Sequence, residues 1–442
     1  MHTILVAGAG KSSTYLIQYL LSHAAQNKWK VIVADGDANA IAEKTDNSPY
    51  AEAAVIDITN IAQREPLVKR ADIVISLMPP HLHIHLAKDC LVHKKNLITS
   101  SYVSDELKLM KKEVEEAGLM FMCEMGLDPG IDHMTANKII HSIHRVAGSI
   151  YSFKSYCGGL IAPESDNNPW HYKFSWNPKN IITAGLGGAK YLSNGKEVEV
   201  PYEKIFENNK KIKVDGLGSL AYYPNRDSLK YLEMYDIPDI KTFLRATLRY
   251  PSFCVGWEAL ILLGLTTNED SFDKKGQTLA SWVMAKTGCT DKNTLPEFVA
   301  QKLGVEVNST AIELMSWLGL FDELPLKPGT AASGEILLDL LLEKWSMASA
   351  EKDMVVMQHE IEYMHKGRKT KLTSTMVIKG ENRELSAMAK TVGMPMGILA
   401  RMVLNKKIVP PVGIHIPNMQ SVYRPVLAEL ESYGIEFKDE IE

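Results

Sequence analysis

The sequence predicts an α/β protein: a doubly wound parallel sheet in the N-terminal third, followed by an α+β domain for substrate and dimerisation and a mainly helical insertion. Three observations carry this. Short aliphatic runs alternate with helical patterns through the first 125 residues, and repeated strand-helix-strand order means a parallel sheet covered on both faces. The first run ends in Gly8-Ala9-Gly10 and leads straight into a helical pattern. After Asp128-Pro129-Gly130 the texture changes to short Gly-, Tyr- and Pro-rich runs, then to helices.

Element by element, Thr3–Ala7 reads as a strand, Tyr15–Ala25 as an apolar-periodic helix and Lys30–Ala34 as a strand. Ala38–Thr45 (helix), Ala53–Ile56, Asp72–Leu77 and Asn96–Thr99 (strands) follow, then a helix over Glu106–Glu116 and a strand over Leu119–Cys123. Right-handed crossovers leave few topologies besides a doubly wound one. Further on, Gln277–Thr287, Leu295–Leu303 and Gly334–Ser346 read as helices, and Met354–Tyr363 and Leu372–Ile378 as paired strands. Helices over Leu385–Leu404 and Val422–Tyr433 close the chain. The expected division is 1–126 for the nucleotide-binding domain, with 385–442 packing back on it, 127–264 plus 350–384 for the α+β domain, and 265–349 for the helical part.

At 442 residues the chain exceeds one ordinary core. A net charge of −4 gives no basic face for nucleic acid or anionic lipid. The five cysteines, Cys90, Cys123, Cys157, Cys254 and Cys289, are far apart and include no CxxC pair, so reduced thiols in a cytoplasmic protein are expected. The opening MHTILVAGAG lacks a charged leader before an apolar run. No stretch reaches the roughly 18 uninterrupted apolar residues of a spanning helix.

The segment ILVAGAGKSSTYLIQYL sets Gly8 and Gly10 between a buried strand and a helix. Glycine there permits a tight turn and a close approach of backbone to pyrophosphate, while the helix N-terminus offers unpaired N–H groups. The third position of the pattern is Ser13, which weakens it. Lys11 is a candidate for added charge on the pyrophosphate. The second strand ends in Ala34-Asp35-Gly36-Asp37. A carboxylate at that point accepts hydrogen bonds from ribose hydroxyls and repels a 2′-phosphate, so Asp35 predicts NAD over NADP, while Asp37 suits the cap of the next helix. Together these features describe a Rossmann-type domain and a nicotinamide-dependent oxidoreductase.

Further segments run in a recognisable order: TSSYVS at Thr99–Ser104, EMGLDPGIDH at Glu124–His133, SYCGGL at Ser155–Leu160, YKFSW at Tyr172–Trp176, YPNRDS at Tyr223–Ser228 and TLRY at Thr247–Tyr250. They resemble saccharopine dehydrogenase of the L-glutamate-forming type, or saccharopine reductase, across residues 1–260, and Ala387–Pro411 looks similar too. The resemblance implies reversible oxidation of saccharopine with NAD(P) and water to L-glutamate and 2-aminoadipate 6-semialdehyde, in lysine metabolism. It implies that Ser101, Tyr102 and Asp128 line the place where substrate meets cofactor. Leu77 and Leu127, Asp128 and Pro129 are to lie against the dinucleotide, and Arg226 with Thr247, Leu248 and Arg249 to hold substrate carboxylates. The candidate cofactor set is then Gly8, Ala9, Gly10, Lys11, Ser12, Ala34, Asp35, Gly36, Asp57, Ile58, Leu77, Leu127, Asp128 and Pro129.

A planar guanidinium grips a carboxylate through two parallel hydrogen bonds, which agrees with the arginine assignments. Asp128 is the one candidate catalytic residue, reading as a contact for substrate ammonium groups and proton transfer, with turn capping as its structural alternative. Asp132 suits the start of a helix, and His133 reads as a packed histidine rather than a proton shuttle. Cys157 lacks a partner histidine for nucleophilic work and reads as a close contact beside the substrate. The alternating His81, His83 and His85 recruit no ligand from another segment, so a metal is not expected. They read as lining an entrance near Pro79-Pro80 or as solvated. Two other functions keep the same architecture: an amine dehydrogenase acting on a carboxylated polyamine, or a non-catalytic NAD-binding regulator. A homodimer is expected.

Overall fold

The computed structural model describes residues 1–207 and 209–442. The chain divides into two compact units. The first holds Met1–Ile150, Met234–Ile237 and Glu362–Glu442, and the second Tyr151–Glu233 and Pro238–Ile361.

The first unit is built on strands β1 (His2–Ala7), β2 (Trp29–Asp35), β3 (Ala51–Val55), β4 (Ile73–Ser76), β5 (Asn96–Thr99) and β6 (Met120–Met122). A seventh strand, Gly413–His415, arrives from far along the chain and pairs in parallel with β6. The order is Gly413–His415, β6, β5, β4, β1, β2, β3, parallel throughout. Ile4, Leu5, Val6 and Ala7 are all buried, as a central strand covered on both faces must be. Between the strands run α1 (Thr14–Asn27), α2 (Ala38–Thr45), α3 (Ile61–Arg70) and α4 (His83–Val92). Asp37 caps α2, accepting from the Asn39 and Ala40 N–H groups. Chain order reverses between β1 and β4, the switch point where open sheets of this kind bind ligands.

Several expected boundaries move. Glu106–Glu116 is two short helices, Asp105–Leu109 and Lys111–Glu116, meeting at Met110. Residues 127–150 and 362–384 fall in the first unit, where each finds packing partners. The helix Ile131–Arg145 packs against Gln420–Ser432, and the strand Arg368–Lys379 pairs with Lys438–Ile441. The helix Ala387–Leu404 is apolar and long enough to cross a bilayer, yet 78% of it is buried. It lies against α1, with Arg401 Nε donating to Tyr19 Oη at 2.5 Å.

In the second unit, strands Lys210–Val214, Gly218–Pro224 and Thr242–Arg249 are antiparallel neighbours, and Thr242–Arg249 runs parallel to Ser149–Ile161. The helices Pro251–Leu262, Leu279–Thr287, Leu295–Leu303, Thr310–Leu318 and Ser333–Lys344 share one core with Trp170, Tyr172, Phe206 and Tyr223. That shared core explains why the helical insertion is not a third compact unit.

Candidate functional site

Gly8 stands at φ +107, and a Cβ there would meet the Leu77 carbonyl carbon and oxygen at 3.1 Å. The backbone at the end of β1 thus runs tight against the end of β4, and together with the positive φ this disfavours any side chain. By contrast a Cβ on Gly10 would meet nothing within 4 Å. No protein contact requires glycine at that position, so the open space above its backbone fits the close approach of a phosphate group. Ser13 is buried, its hydroxyl donating to Gly10 O at 2.8 Å, and takes the place of the pattern's third glycine. Lys11 is exposed and Ser12 half-buried on the same turn.

Asp35 accepts the Ala9 N–H at 2.6 Å and the Asp37 N–H at 3.0 Å, so it ties the glycine turn to the end of β2. A cleft of about 540 Å³ opens beside it, lined by Ala34, Asp35, Gly36, Asp57, Ile58 and Met78 among others. No lysine or arginine is among the described residues that line it. Two residues missed in the sequence hold the cleft in shape. Gln63 accepts the Asp57 N–H at 2.8 Å. The buried Arg64 donates to Asp89 Oδ2 and to Ile58 O, each at 2.6 Å. Thr59, donating from both N–H and hydroxyl, holds the Asp57 carboxyl below its usual range.

Ser101 and Tyr102, both half-buried, follow β5. Leu127 and Pro129 are buried and Asp128 half-buried in the turn after β6, joined by a cis Asp128-Pro129 bond. The two segments are laced together: Glu124 N–H donates to Ser101 O and Met125 N–H to Thr99 O, both at 3.0 Å. Glu124, absent from the expected site, is buried at φ +55. Its Oε2 lies 2.8 Å from His133 Nε2, and His133 Nδ1 lies 2.6 Å from Tyr235 Oη. His133 is therefore packed and bonded at both nitrogens, and Asp132 accepts the Gly130 N–H at 2.6 Å.

The three alternating histidines separate. His81 is exposed and His85 half-buried, but His83 is buried, so neither an entrance position nor a solvated one describes it. Its Nδ1 lies 2.7 Å from Ser76 Oγ and its Nε2 2.7 Å from Ser101 Oγ. Burial, with the charge of His81, pushes its pKa down to about 4. His81 lies in the turn Pro80–Leu82 before α4, and helical phase separates His83 from His85, since residues two apart on a helix point to different faces. Among the described residues no cluster of three or more His, Cys, Asp or Glu side chains suits a metal.

In the second unit, Cys157 and Thr247 are register partners on adjacent parallel strands. A Cβ on Gly158 would stand 2.5 Å from Leu248 O, so the glycine after Cys157 lets the strands close. Arg249 follows, 4% exposed, its guanidinium carbon 5.4 Å from the Tyr172 and Phe253 ring centroids and 6.0 Å from that of Tyr223. It donates from Nη1 to Leu248 O at 2.8 Å. Its Nε and the Tyr172 hydroxyl are buried without a hydrogen-bond partner among the described residues. Tyr223, Tyr172, Cys254 and Cys157 bear on its charge, and among the described residues no carboxylate forms an ion pair with it. Arg226 is exposed, at φ +54, and pairs with Ala189 at the edge of the sheet. Arg245, overlooked in the sequence, is buried with its guanidinium 4.5 Å from the Tyr231 ring.

Comparison with known proteins places these features in a family. Residues 4–122 match the Saccharopine dehydrogenase NADP binding domain and residues 126–435 the Saccharopine dehydrogenase C-terminal domain. The chain is 33% identical over 447 residues to the saccharopine dehydrogenase [NADP(+), L-glutamate-forming] of Saccharomyces cerevisiae, covering 99% of this chain and 98% of that one. It is 35% identical to the mitochondrial alpha-aminoadipic semialdehyde synthase of Bos taurus, covering 98% of this chain and 47% of the relative. It spans about half the length of such animal and plant relatives. The solved apo saccharopine dehydrogenase (L-Glu forming) of Saccharomyces cerevisiae superposes with a TM-score of 0.89 at 30% identity, covering 100% of both chains. A homospermidine synthase of Legionella pneumophila shares the fold, with a TM-score of 0.56 at 9% identity over 100% of this chain and 91% of that one. The paired glycine turn, the laced loops after β5 and β6 and the arginine-bearing strand thus sit in a chain matched along nearly its whole length, and it belongs to the saccharopine dehydrogenase family.

Proposed function

We propose that this protein oxidises saccharopine with a nicotinamide dinucleotide and water, releasing L-glutamate and 2-aminoadipate 6-semialdehyde, reversibly. One observation within the family frame supports it most: Arg249 is a buried guanidinium that pairs with no carboxylate among the described residues, set among aromatic rings beside the Tyr172 hydroxyl, which also lacks a partner among them. A buried cation of that kind is costly unless a ligand anion completes it. Saccharopine carries three carboxylates, and an acidic substrate suits this pocket better than a polyamine.

In this reading the nicotinamide supplies the acceptor for the hydride that leaves the carbon beside the secondary amine. The chain binds and orients. Gly8, Ala9, Gly10, Lys11 and Ser12 seat the pyrophosphate, and Ala34, Asp35, Gly36, Asp57 and Ile58 the adenosine. Leu77 and Leu127, Asp128 and Pro129 bear on the nicotinamide half. Ser101, Tyr102, Asp128, Cys157, Arg226, Thr247, Leu248 and Arg249 take the substrate, with Asp128 holding an ammonium proton.

NAD is the favoured dinucleotide, although relatives are named for NADP(+). Asp35 occupies the ribose end of the cleft, and among the described residues no basic side chain lines that cleft to neutralise a 2′-phosphate. We place the enzyme in lysine metabolism, in the cytoplasm, as a homodimer through the sheet of the second unit.

The test is to incubate purified protein with saccharopine and NAD or NADP, follow reduced nicotinamide by absorbance, and assay glutamate. Equimolar glutamate and reduced nicotinamide are expected, faster with NAD. Tight NAD binding with no turnover of saccharopine would reject the enzyme reading.

A further inference from the structure

His83 closes a chain of hydroxyls at the carboxyl edge of the parallel sheet. Ser76 ends β4, Thr99 ends β5, Ser101 follows β5, and His83 opens α4. The imidazole bridges them: Nδ1 to Ser76 Oγ at 2.7 Å, Nε2 to Ser101 Oγ at 2.7 Å, and Thr99 Oγ1 at 3.3 and 3.2 Å from the two nitrogens. Four residues from two strands, a loop and a helix start therefore meet at one ring. Such an edge is where sheets of this order hold their ligands.

Burial grades along the chain. Ser76 and Thr99 are 0% exposed and His83 3%, while Ser101 is half-buried. Ser101 is also the member expected to contact substrate. Its backbone is already held, the N–H by Thr99 Oγ1 at 3.3 Å and the carbonyl by the Glu124 N–H at 3.0 Å. What the backbone leaves free is the rotation of the hydroxyl, and His83 Nε2 stands on it.

A neutral imidazole donates from one nitrogen and accepts at the other. If Nδ1 carries the proton, Ser101 donates to Nε2 and turns lone pairs outward. With the proton on Nε2, Ser101 accepts it and turns its own proton outward. Either tautomer orients the hydroxyl, and the depressed pKa keeps the ring neutral at working pH. The inner end of the chain is sealed at Ser76 and Thr99, which rules against a proton wire to solvent through that end.

We propose that His83 is a positioning residue for the reaction, holding the Ser101 hydroxyl in the rotamer and polarity that the substrate meets. This rests on the reading of Ser101 as a substrate contact.

The test compares the wild type, His83→Phe, His83→Gln, Ser101→Ala and the double variant His83→Phe/Ser101→Ala. It reads kcat and KM for saccharopine and, independently, the imidazole nitrogen resonances of His83. Losing one oriented hydrogen bond at the transition state is worth about tenfold. His83→Phe and Ser101→Ala should each lower kcat by that order with little change in KM, and the double variant should be no slower than the slower single. His83→Gln, whose amide reaches toward the Nε2 position, should recover part of the loss. Losses that multiply in the double variant, or an unchanged kcat in folded His83→Phe, overturn the proposal. If the wild type turns over no saccharopine, the reading of the reaction falls, and the resonances still decide: a His83 Nε2 signal that moves on Ser101→Ala supports the coupling, and an unmoved one overturns it.

Discussion

Gly8 and Leu77 are in such close contact that a single added carbon at Gly8 would stand 3.1 Å from the Leu77 carbonyl group. The end of β1 and the end of β4 meet there, and the loop that follows Gly8 carries the N–H groups proposed to meet the phosphate. Gly8→Ala has to move that loop and hold an alanine at φ +107, at a cost of about 1–2 kcal/mol. We expect the NADH dissociation constant, read by fluorescence titration, to rise about tenfold or more. A dissociation constant within twofold of wild type would mean the turn does not seat the dinucleotide.

Asp35→Asn keeps an oxygen for the Ala9 N–H and removes the charge proposed to face the ribose. The ratio of kcat/KM for NAD to that for NADP should fall by about tenfold or more. A ratio that does not move, or a wild type that prefers NADP, would contradict the assignment of NAD.

Arg249→Lys retains charge and loses both the planar fork and the stacking on Tyr172 and Phe253. If Arg249 grips a desolvated carboxylate, KM for saccharopine should rise roughly a hundredfold, a loss of about 3 kcal/mol. KM for NAD should hardly change. Equal effects on both constants would point to general misfolding instead. Arg226, being exposed, should tolerate lysine better than Arg249 does.

Glu124→Ala removes the buried carboxylate that lies 2.8 Å from His133 Nε2 and accepts the Val103 N–H at 3.3 Å, while the backbone bonds between the loops after β5 and β6 remain. Breaking a buried pair of this kind costs about 3–5 kcal/mol. Urea denaturation should show that loss. A stability within about 0.5 kcal/mol of wild type would mean the pair is not structural.

His83 makes stability depend on pH. Unfolded, its imidazole titrates near 6.5, whereas burial and the His81 charge hold the folded group at about 4. Between those values the unfolded chain binds the extra proton, so this contribution is complete above about 6.5, falls as pH drops, and levels off below about 4. The full effect is about 3 kcal/mol, and His83→Phe should lack it. Denaturation of both proteins at pH 7 and pH 5 checks this; parallel curves would show His83 to be accessible.

Part of the site is legible in the order of residues alone. The glycine turn, the capping role of Asp37 and the position of Asp35 are local: strand, turn and helix are contiguous in the chain, so spacing and residue type suffice. The Cys157-Gly158 pair stands out as well, but only the register shows why glycine follows the cysteine, namely the approach of Leu248 O at 2.5 Å. His83 looks interchangeable with His81 and His85 in the sequence, because alternation says neither where α4 begins nor which of its faces turns inward. Glu124, Arg64, Tyr172 and Arg245 stay hidden there for a related reason. Each acts through a partner that the chain brings close only on folding, as with Arg64 and Asp89 at 2.6 Å.

By itself, then, the sequence determined the parallel α/β sheet, the dinucleotide turn and the family resemblance, since these rest on periodicity and on residues adjacent in the chain. Tertiary structure alone decided that residues 127–150 and 362–384 join the nucleotide-binding unit, that Gly413–His415 adds the seventh strand, and which histidine and which arginine are buried. The physical reason is that burial and hydrogen-bond partnership are set by segments distant in sequence, whose pairing is a property of the packed whole.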